Sequence, residues 1–303
     1  MSSQTAAQPL VSIVVATYNG AKYIEAQMDS LIAQTYPNTE IVVVDDRSTD
    51  NTLEILQRYA RQYSHVHVYQ NEVNLGYVKN FERGVTLSTG AYVSFSDQDD
   101  IWLPEKTAEL MAAIGDHPMI ISDSEIVTEN LEKRCNHSDL KVIQDFYNPL
   151  MFATDNCVTG HSLIIKRAVV EAAIPFPDMA HDLWLGFFGT LHGTVKYFDK
   201  AFVKWRQHGR NVTTTQSDEQ QKIEVTKFKL RTFRDTCPPA FEKEKAVFDA
   251  LLKTYDSYSL VNNFNRMRLY FTYKKYLLAM KKGKPFKIFT YCIKMFFQMR
   301  KHP

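Results

Sequence analysis

The chain has 303 residues, a length that suits one large domain or one domain with an appendage. Hydrophobic residues make up 45% and charged residues 23%, which is ordinary for a globular protein and excludes a largely disordered chain. The net charge of +2 is unevenly spread, because residues 257–303 hold eleven Lys or Arg and no Asp or Glu. Residues 1–256 therefore carry 25 basic against 34 acidic side chains, and we expect the basic end to meet an anionic surface.

The chain lacks the patterns of a secreted, disulfide-bonded or membrane-spanning protein. Residues 1–8 contain no apolar segment, and no uncharged apolar stretch reaches the roughly 18 residues of a membrane span. The cysteines are far apart and form no C-x-x-C pair, so we predict neither a zinc site nor a disulfide framework. These cysteines are Cys135, Cys157, Cys237 and Cys292. We therefore expect reduced thiols in a cytoplasmic protein.

Strands and helices are predicted to alternate through the first third of the chain. Apolar, β-branched runs predict buried strands at residues 11–16, 40–44, 66–69 and 91–95. Helices are predicted up to about Gln34, after the N-cap residues 48–50, and over residues 77–87. This alternation favours βαβ units, and so an α/β fold with a mostly parallel, Rossmann-like sheet flanked by helices. Ligands bind such sheets beyond the carboxyl ends of the strands.

The pattern changes after about Met119 to shorter strands and irregular segments. Further strands are predicted at residues 158–165 and 195–205, and a helix at residues 181–191. Residues 216–303 are predicted to be helical, with a break at residues 283–285. We therefore divide the chain into a domain over residues 9–215 and a basic helical region over residues 216–303.

Three carboxylates follow the fourth predicted strand within four positions. Asp97, Asp99 and Asp100 would repel one another unless a cation or water offsets their charge. A hard divalent cation such as Mg²⁺ or Mn²⁺ prefers oxygen ligands and can bridge to phosphates. The alternative is a solvated loop whose last Asp caps the next helix. We expect both, with Asp99 on the metal and Asp100 serving the structure.

Two more residues follow predicted strands at the same edge. Asp45 can accept hydrogen bonds from a base or ribose, or it can be a turn or cap residue. Tyr18 can stack on a nucleobase or simply pack against the protein. Neither G-x-G-x-x-G nor G-x-x-x-x-G-K-[ST] occurs, which disfavours a nicotinamide dehydrogenase or a P-loop NTPase. Phosphate charge would then be met by a metal and by side chains such as Lys79 or Arg206.

The second half offers a candidate proton acceptor. His181 and Asp182 open a predicted helix that also contains Trp184. A carboxylate there can cap the helix or act as general base for an acceptor hydroxyl. His208 is a candidate metal ligand or phosphate donor, although a single His often has neither role.

Together these residues resemble glycosyltransferase family 2, whose members have the GT-A fold. Residues 11–20 (VSIVVATYNG) resemble its opening strand and nucleotide-binding turn. Residues 44–50 (VDDRSTD) resemble its V-D-D-G-S-x-D motif, with Arg47 in place of the common Gly. Residues 74–80 resemble the segment before the metal site, and residues 96–102 (SDQDDIW) resemble the DxD element. The order and spacing of all four segments are highly specific.

The second half resembles the bacterial rhamnosyltransferase-like members of that family. The segments that carry the likeness are residues 97–102, 160–161, 181–184 and 206–212. This likeness implies, as the favoured choice, transfer of rhamnose from dTDP-rhamnose in O-antigen or other surface-polysaccharide synthesis. A UDP-hexose donor, glucose or galactose, remains open.

The resemblance also implies roles for individual residues. The donor nucleotide would be held by Thr17, Tyr18, Asp45, Lys79 and Asp97. Asp99 would ligate Mg²⁺ or Mn²⁺ against the diphosphate, and His208 would assist there. Asp182 would be the catalytic base of an inverting transfer to a glycan hydroxyl. Trp184, Arg206 and His181 would contact the diphosphate or the acceptor.

The C-terminal tail has an amphipathic, basic pattern. Apolar residues recur at helical spacing: Phe286, Phe289, Ile293, Phe296 and Phe297. Lys287 and Lys294 lie on another face, with Arg300 and Lys301 beyond. This pattern is typical of a membrane-surface helix, and the alternative is a helix packed on the core. If the acceptor is linked to a lipid, we expect a peripheral enzyme on the inner face of the bacterial cell membrane. We expect no nucleic-acid partner.

Two other functions compete with glycosyl transfer. A sugar-phosphate nucleotidyltransferase would show a Gly-rich, basic turn after the first strand, and residues 17–22 (TYNGAK) match that poorly. A non-catalytic glycan-binding protein would not need both Asp99 and Asp182.

Overall fold

The computed structural model describes residues 8–209 and 219–297. Its strands form one sheet in the order β3-β2-β1-β4-β8-β6-β9-β5, with β7 paired to β6. The strands are β1 (Val11–Thr17), β2 (Thr39–Asp45), β3 (Val66–Gln70), β4 (Tyr92–Ser96), β5 (Ile101–Trp102), β6 (Met119–Val127), β7 (Lys133–Asn136), β8 (Leu163–Lys166) and β9 (Val195–Arg206).

Helices cover both faces of the sheet and make up the C-terminal region. They are α1 (Ile24–Ile32), α2 (Thr52–Gln62), α3 (Tyr77–Leu87), α4 (Lys106–Ala113), α5 (His137–Leu140), α6 (Arg167–Ala172), α7 (His181–His192), α8 (Glu219–Thr236), α9 (Glu242–Lys253), α10 (Leu260–Thr272), α11 (Lys274–Leu277) and α12 (Pro285–Lys294). Within the described residues, none of these helices is long and apolar enough to cross a membrane.

Strands β1 to β4 form the parallel block that the sequence predicts. The apolar side chains of β1, β2 and β4 are buried on both faces of the sheet, which explains their continuous apolar runs, whereas β3 at the sheet edge is largely exposed. In the register, Thr17 lies beside Asp45, and Val15 lies beside Ser96. The ends of β1, β2 and β4 therefore reach the same edge of the sheet.

The other half of the sheet is mixed. β8 pairs antiparallel with β4 and β6, while β6 and β9 are parallel. The strand predicted over residues 158–165 begins later than expected, because Gly160–Ser162 form a 3-10 turn before β8. The α/β fold with flanking helices and a helical C-terminal region is confirmed, and the parallel pairing is concentrated in the first half.

The C-terminal helices pack on the sheet domain and extend its core. Phe233 of α8 stacks on Phe187 of α7 with ring centroids 3.9 Å apart, and Phe248 of α9 meets both rings edge-on. Cys292 of α12 is fully buried in the same cluster. The boundary predicted at residue 215 lies outside the described residues, and the division into two regions stays a prediction.

One lysine is enclosed beneath the acidic segment. Lys106 of α4 is fully buried, with its Nζ 3.1 Å from the centroid of the Trp102 ring and 3.3 Å from Ser94 Oγ. Burial holds the pKa of its ammonium well below the usual value. Lys106 is therefore packed largely as an apolar side chain with a single polar contact.

Candidate functional site

The turn after β1 and the end of β2 form one wall of the site. The Thr17 hydroxyl donates to Asp45 Oδ1 (3.2 Å), and Gln70 Nε2 donates to Asp45 Oδ2 (3.1 Å). Ser48 donates to the same carboxylate through its backbone N–H and its hydroxyl. Each oxygen of the fully buried Asp45 thus accepts two protein donors. Contact of Asp45 with a nucleobase stays a prediction.

Tyr18 lies on the exposed side of this wall, with 46% of its surface accessible. Its backbone N–H donates to Gln98 Oε1 (2.9 Å), and Gln98 Nε2 donates back to the Tyr18 carbonyl (3.1 Å). A Cβ at Gly20 would lie 2.2 Å from Gln98 Oε1, so only glycine leaves room for this contact. Gln98 therefore ties the acidic segment to the turn after β1.

The predicted turn at Arg47 keeps the glycine-like conformation of the motif. Arg47 has a φ of 63°, in the left-handed region that favours glycine. Its guanidinium donates to the Glu72 carbonyl. The neighbouring Asp46 accepts the backbone N–H groups of Leu75 (2.8 Å) and Gly76 (2.9 Å). Asp46 therefore orders the loop before α3, a role that the sequence analysis did not assign.

Asp99 and His208, both predicted at the metal, lie together. His208 Nε2 is 2.7 Å from Asp99 Oδ2, and the imidazole stacks on Tyr23 with ring centroids 4.9 Å apart. Burial, followed by the Asp100 and Asp97 carboxylates, raises the pKa of Asp99 to about 8. The repulsion expected within the acidic segment is therefore present, and a cation there would offset it.

A second group of possible ligands lies beside the first. One ligand atom from each of Asp97, Asp100 and His161 falls within 4.8 Å of the others. His161 Nδ1 is 3.0 Å from Asp100 Oδ2 and 3.6 Å from Asp97 Oδ2. Burial alone would lower the pKa of His161, but Asp100 and then Asp97 raise it to about 9. These oxygen and nitrogen donors suit Mg²⁺ or Mn²⁺.

His161 has no role predicted from the sequence, although residues 160–161 contribute to the resemblance. β8 pairs antiparallel with β4, with Ile164 opposite Ser94. Continuing that register by three residues brings His161 opposite Asp97. The position depends on long-range strand pairing, which local sequence patterns do not report.

Asp100 has a structural contact, but the predicted helix cap is wrong, because the N-cap residue of α4 is Glu105 and Asp100 binds the end of β9 instead. It is almost fully buried, and its Oδ1 accepts the backbone N–H of Arg206 (3.0 Å). Arg206 in turn donates through Nε to the Asp99 carbonyl (2.7 Å) and through Nη1 to the Glu129 carbonyl. Arg206 is thus buried and holds the acidic segment in place, and its contact with a diphosphate stays a prediction.

Asp182 lies at the start of α7, where the sequence predicts it. Its Oδ1 accepts the backbone N–H of Leu183 and the side-chain amide of Asn156 (3.2 Å). Burial and then the Asp97 carboxylate raise the pKa of the Asp182 carboxyl, these hydrogen bonds oppose the rise, and the resulting pKa is about 7. A carboxylate with that pKa suits a general base near neutral pH.

His181 and Trp184 occupy the interior rather than an open surface. His181 packs against Phe81 with ring centroids 4.2 Å apart, and burial lowers its pKa to about 4. Trp184 is 5% exposed and donates its indole N–H to the Ala173 carbonyl (2.9 Å). The Trp184 ring is enclosed by the core, and its contact with the diphosphate or the acceptor stays a prediction. His181 is neutral and lies behind the site.

Lys79 lies on α3 and already has protein partners. Its Nζ donates to the Phe176 carbonyl (2.8 Å) and to Glu82 Oε2 (2.9 Å). The side chain is 45% exposed, so it borders solvent as well. Its predicted contact with the donor phosphates stays a prediction.

Comparison with known proteins agrees with this geometry. Residues 12–173 match the family described as glycosyl transferase family 2. An uncharacterized glycosyltransferase of Haemophilus influenzae is 27% identical over 235 residues, which cover 71% of this chain and 70% of the relative. The putative teichuronic acid biosynthesis glycosyltransferase TuaG of Bacillus subtilis is 38% identical over 99 residues, 33% of this chain and 39% of TuaG.

Solved structures share the fold at lower sequence identity. S. aureus TarS 1-349 in complex with UDP-GlcNAc has a TM-score of 0.64 and 21% identity, covering 95% of this chain and 80% of TarS. The mannosyltransferase PcManGT from Pyrobaculum calidifontis, in complex with GDP-Man and Mn²⁺, has a TM-score of 0.54 and 19% identity, covering 96% of this chain and 86% of that protein. With the family match extending over more than half of its length, the chain belongs to glycosyl transferase family 2 and is a glycosyltransferase of the GT-A fold.

Proposed function

We propose that this glycosyltransferase moves a sugar from a nucleoside diphosphate to a hydroxyl of a glycan acceptor, with metal dependence and inversion. The observation that carries the proposal is the acidic segment Asp97–Asp100, joined to the turn after β1 by Gln98 and backed by His161 and His208. Nucleotide, cation and diphosphate would meet at this edge of the sheet.

The donor nucleotide would lie against the turn after β1. The exposed ring of Tyr18 can stack on a base, and the partly exposed Asp97 can accept from a ribose hydroxyl. Asp45 would position this wall through Thr17 and Ser48. A base contact by Asp45 would require one of its present donors to yield.

Asp99, His208, Asp97, Asp100 and His161 would hold Mg²⁺ or Mn²⁺. The donor set is carboxylate oxygen with imidazole nitrogen, and the pKa of Asp99 is raised by burial and then by the Asp100 and Asp97 carboxylates, whose charge a cation would offset. When bound, the ion supplies positive charge for the departing diphosphate. The PcManGT structure contains Mn²⁺, which supports this assignment.

Asp182 would be the catalytic base. Asn156 and the backbone N–H of Leu183 hold one of its oxygens, so the other can face an acceptor hydroxyl. It would remove the proton from that hydroxyl as the oxygen attacks the anomeric carbon opposite the diphosphate. A single displacement of this kind inverts the anomeric centre and needs no covalent nucleophile.

The donor sugar is the least supported part of the proposal. The rhamnosyltransferase-like segments favour dTDP-rhamnose, whereas the structural neighbours were solved with UDP-GlcNAc and GDP-Man. A thermal-shift panel of nucleotide sugars with Mn²⁺ measures the preference directly. A larger shift with a UDP-hexose than with dTDP-rhamnose would reject the rhamnosyl assignment.

Substitution of the acidic segment tests the proposed function. Asp99→Ala should remove the Mn²⁺-dependent part of donor binding, as measured by calorimetry with and without Mn²⁺. Asp116→Ala, at a site after α4 and remote from the acidic segment, is the control. If Asp99→Ala leaves the Mn²⁺ dependence unchanged, the metal assignment is wrong. Synthesis of a nucleotide sugar from a sugar phosphate would instead favour a nucleotidyltransferase, and binding without turnover would favour a glycan-binding protein.

We also propose that the C-terminal helices bind an anionic membrane surface near a lipid-linked acceptor. α12 has two apolar faces: Cys292 and Met295 are buried, whereas Phe286 is 76% and Phe289 49% exposed. α10 adds further exposed apolar residues, Leu260, Val261 and Phe264. The predicted Arg300 and Lys301 lie outside the described residues. These faces and the excess of basic residues suit an anionic bilayer.

Point substitution tests this surface better than truncation, because truncation would remove the buried Cys292 and Met295. Phe286→Ser with Phe289→Ser should weaken flotation with anionic vesicles, whereas Val225→Ser on α8 should not. Equal flotation of the wild type, the Phe286/Phe289 double variant and the Val225 control would exclude the exposed face of α12 as the membrane contact.

A further inference from the structure

A cavity lies among the C-terminal helices, away from the edge of the sheet that holds the acidic segment. It measures about 160 Å³ and is lined by residues of α8, α9, α10 and α12, including Lys229, Tyr270 and Tyr291. A larger groove of about 330 Å³ adjoins it, and the two share Thr226 and Tyr255. A polar ligand of moderate size therefore has both an inner chamber and a route to solvent.

Lys229 brings a positive charge into this cavity. Within the described residues its ammonium forms no ion pair or hydrogen bond. Burial lowers its pKa to about 8, while Asp155 acts in the opposite direction. Asp155 itself is paired with Lys141 at 2.6 Å. The charge of Lys229 is therefore left without a close counter-ion.

Arg266 adds a second cation behind the cavity wall. It is fully buried, and its Cζ lies 4.6 Å from the ring centroid of Tyr255 and 4.9 Å from that of Tyr258. Its guanidinium donates to neutral oxygens of Thr254 and Asn263. Within residues 8–209 and 219–297 it has no carboxylate partner within ion-pair distance, which is unusual because buried charges are normally paired.

We propose that this cavity binds a phosphate group, with Lys229 as its charge partner and the tyrosine hydroxyls as neutral donors. A phosphate fits a chamber of about 160 Å³ and supplies the missing negative charge. Arg266 adds to the positive field through the wall formed by Tyr255 and Tyr258. The donor diphosphate is assigned to a different site, at the ends of β1 and β4.

The place of the cavity indicates which phosphate it takes. Ala153 and Thr154 line it, and two residues further along Asn156 donates to Asp182. A phosphate here would therefore lie on the side of the molecule where the acceptor meets the base. The ligand would be the phosphate of a lipid-linked acceptor, and this identification rests on the proposed function, whereas phosphate binding does not.

Calorimetry with three probes, in the presence of EDTA, tests the site without turnover or metal. The probes are farnesyl phosphate, inorganic phosphate and farnesol. Lys229→Met should weaken binding of farnesyl phosphate at least about tenfold, and Lys229→Arg should retain it. Lys227→Met is the matched control, because this lysine is on the same helix but pairs with Asp256. Circular dichroism and melting curves check that each variant is folded.

The outcomes separate the site from its ligand. Tighter binding of farnesyl phosphate than of inorganic phosphate supports an acceptor lipid, whereas equal affinities support the site and overturn the lipid identification. Equal affinity of the wild-type and Lys229→Met proteins for both phosphates overturns the site. So does absence of binding by the wild type, or farnesol binding as tightly as farnesyl phosphate. None of these results depends on Asp99 or on the proposed transfer.

Discussion

The acidic segment at the sheet edge and the basic cavity among the C-terminal helices handle buried charge in opposite ways. Asp97, Asp99 and Asp100 are crowded, and His161 and His208 lie within ion-pair distance of them. Lys229 and Arg266 are single cations whose close neighbours are neutral side chains and backbone oxygens. In the first arrangement His161 offsets part of the negative charge, while in the second no close carboxylate offsets the positive charge.

This difference explains why the acidic site can be recognised from the sequence and the basic cavity cannot. Three carboxylates within four positions after an apolar run form a local signal, because the strand end fixes where they point. Lys229 belongs to a helix rich in charged residues and has no distinguishing neighbour in the sequence. It becomes unusual only once α9, α10 and α12 surround it.

The largest expected effect concerns the base at the acidic site. Asp182→Asn should lower the rate of transfer by about 10²–10⁴-fold and leave donor affinity unchanged, since an amide cannot accept the proton. Asp178→Asn, an exposed carboxylate nearby, is the control. Steady-state kinetics and calorimetry provide the two measurements. A variant that keeps wild-type turnover would exclude Asp182 as the base.

The same residue makes a prediction about pH. The pKa of Asp182 in the folded protein is about 7, so as the proposed base it would be protonated and inactive below that value. The wild-type kcat/KM should rise as pH increases through about 7. Its raised pKa also means that stability from the protonated carboxyl is lost as pH rises towards 7, so Asp182→Asn should raise Tm more at pH 8 than at pH 4. A pH-independent difference in Tm would contradict this reasoning.

The next largest effect is on stability and concerns the ion pair between His161 and Asp100. His161→Ala should lower the free energy of unfolding by about 3 kcal/mol, because it leaves the buried Asp100 without its positive partner. Chemical denaturation measures the change. His192→Ala, a partly exposed residue of α7, serves as the control. A loss no greater than that of the control would mean that Asp100 does not depend on His161.

The smallest expected effect concerns Lys106, a buried lysine that lines neither of the two cavities described above. Lys106→Met should raise stability by about 1 kcal/mol at pH 7, since Lys106 is enclosed and has no counter-ion in the described part of the chain. Its lowered pKa means that the folded state binds fewer protons than the unfolded state, so the gain should shrink towards pH 10. Phosphate binding should be unchanged, in contrast to Lys229→Met. A loss of phosphate affinity in Lys106→Met would contradict the claim that Lys229, and not Lys106, binds the phosphate.

The parallel half of the fold was predictable because its strands and turns are local. Residues 11–17 and 39–45 are apolar runs that end in polar turns, and the structure places their ends together. β6 was not predicted as a separate strand, and β8 was predicted too long, because antiparallel pairing and the 3-10 turn at Gly160–Ser162 set their limits.

The site was predictable in part, because the acidic segment is a local signal after a strand, whereas the family resemblance was needed to bring in His208, 109 residues away. Asp99 and His208 were both expected at the metal, and they lie 2.7 Å apart. His161 and Asp46 were missed because their partners are distant in sequence. The sequence did not predict that Trp184 packs in the core, because an aromatic next to a candidate base on a helix can face either the site or the core, and tertiary packing decides between them.

The pair of hydrogen bonds between Gln98 and the backbone of Tyr18 has a mechanical consequence. The two segments are 80 residues apart in the chain, yet this side-chain amide joins them by a pair of hydrogen bonds like those between neighbouring strands of a sheet. Donor and cation would thus arrive at walls already locked to each other, so little conformational entropy would be lost on binding. Even a methyl group at Gly20 would displace the Gln98 side chain. The turn after β1 and the acidic segment could then separate, although the substituted residue itself contacts no ligand.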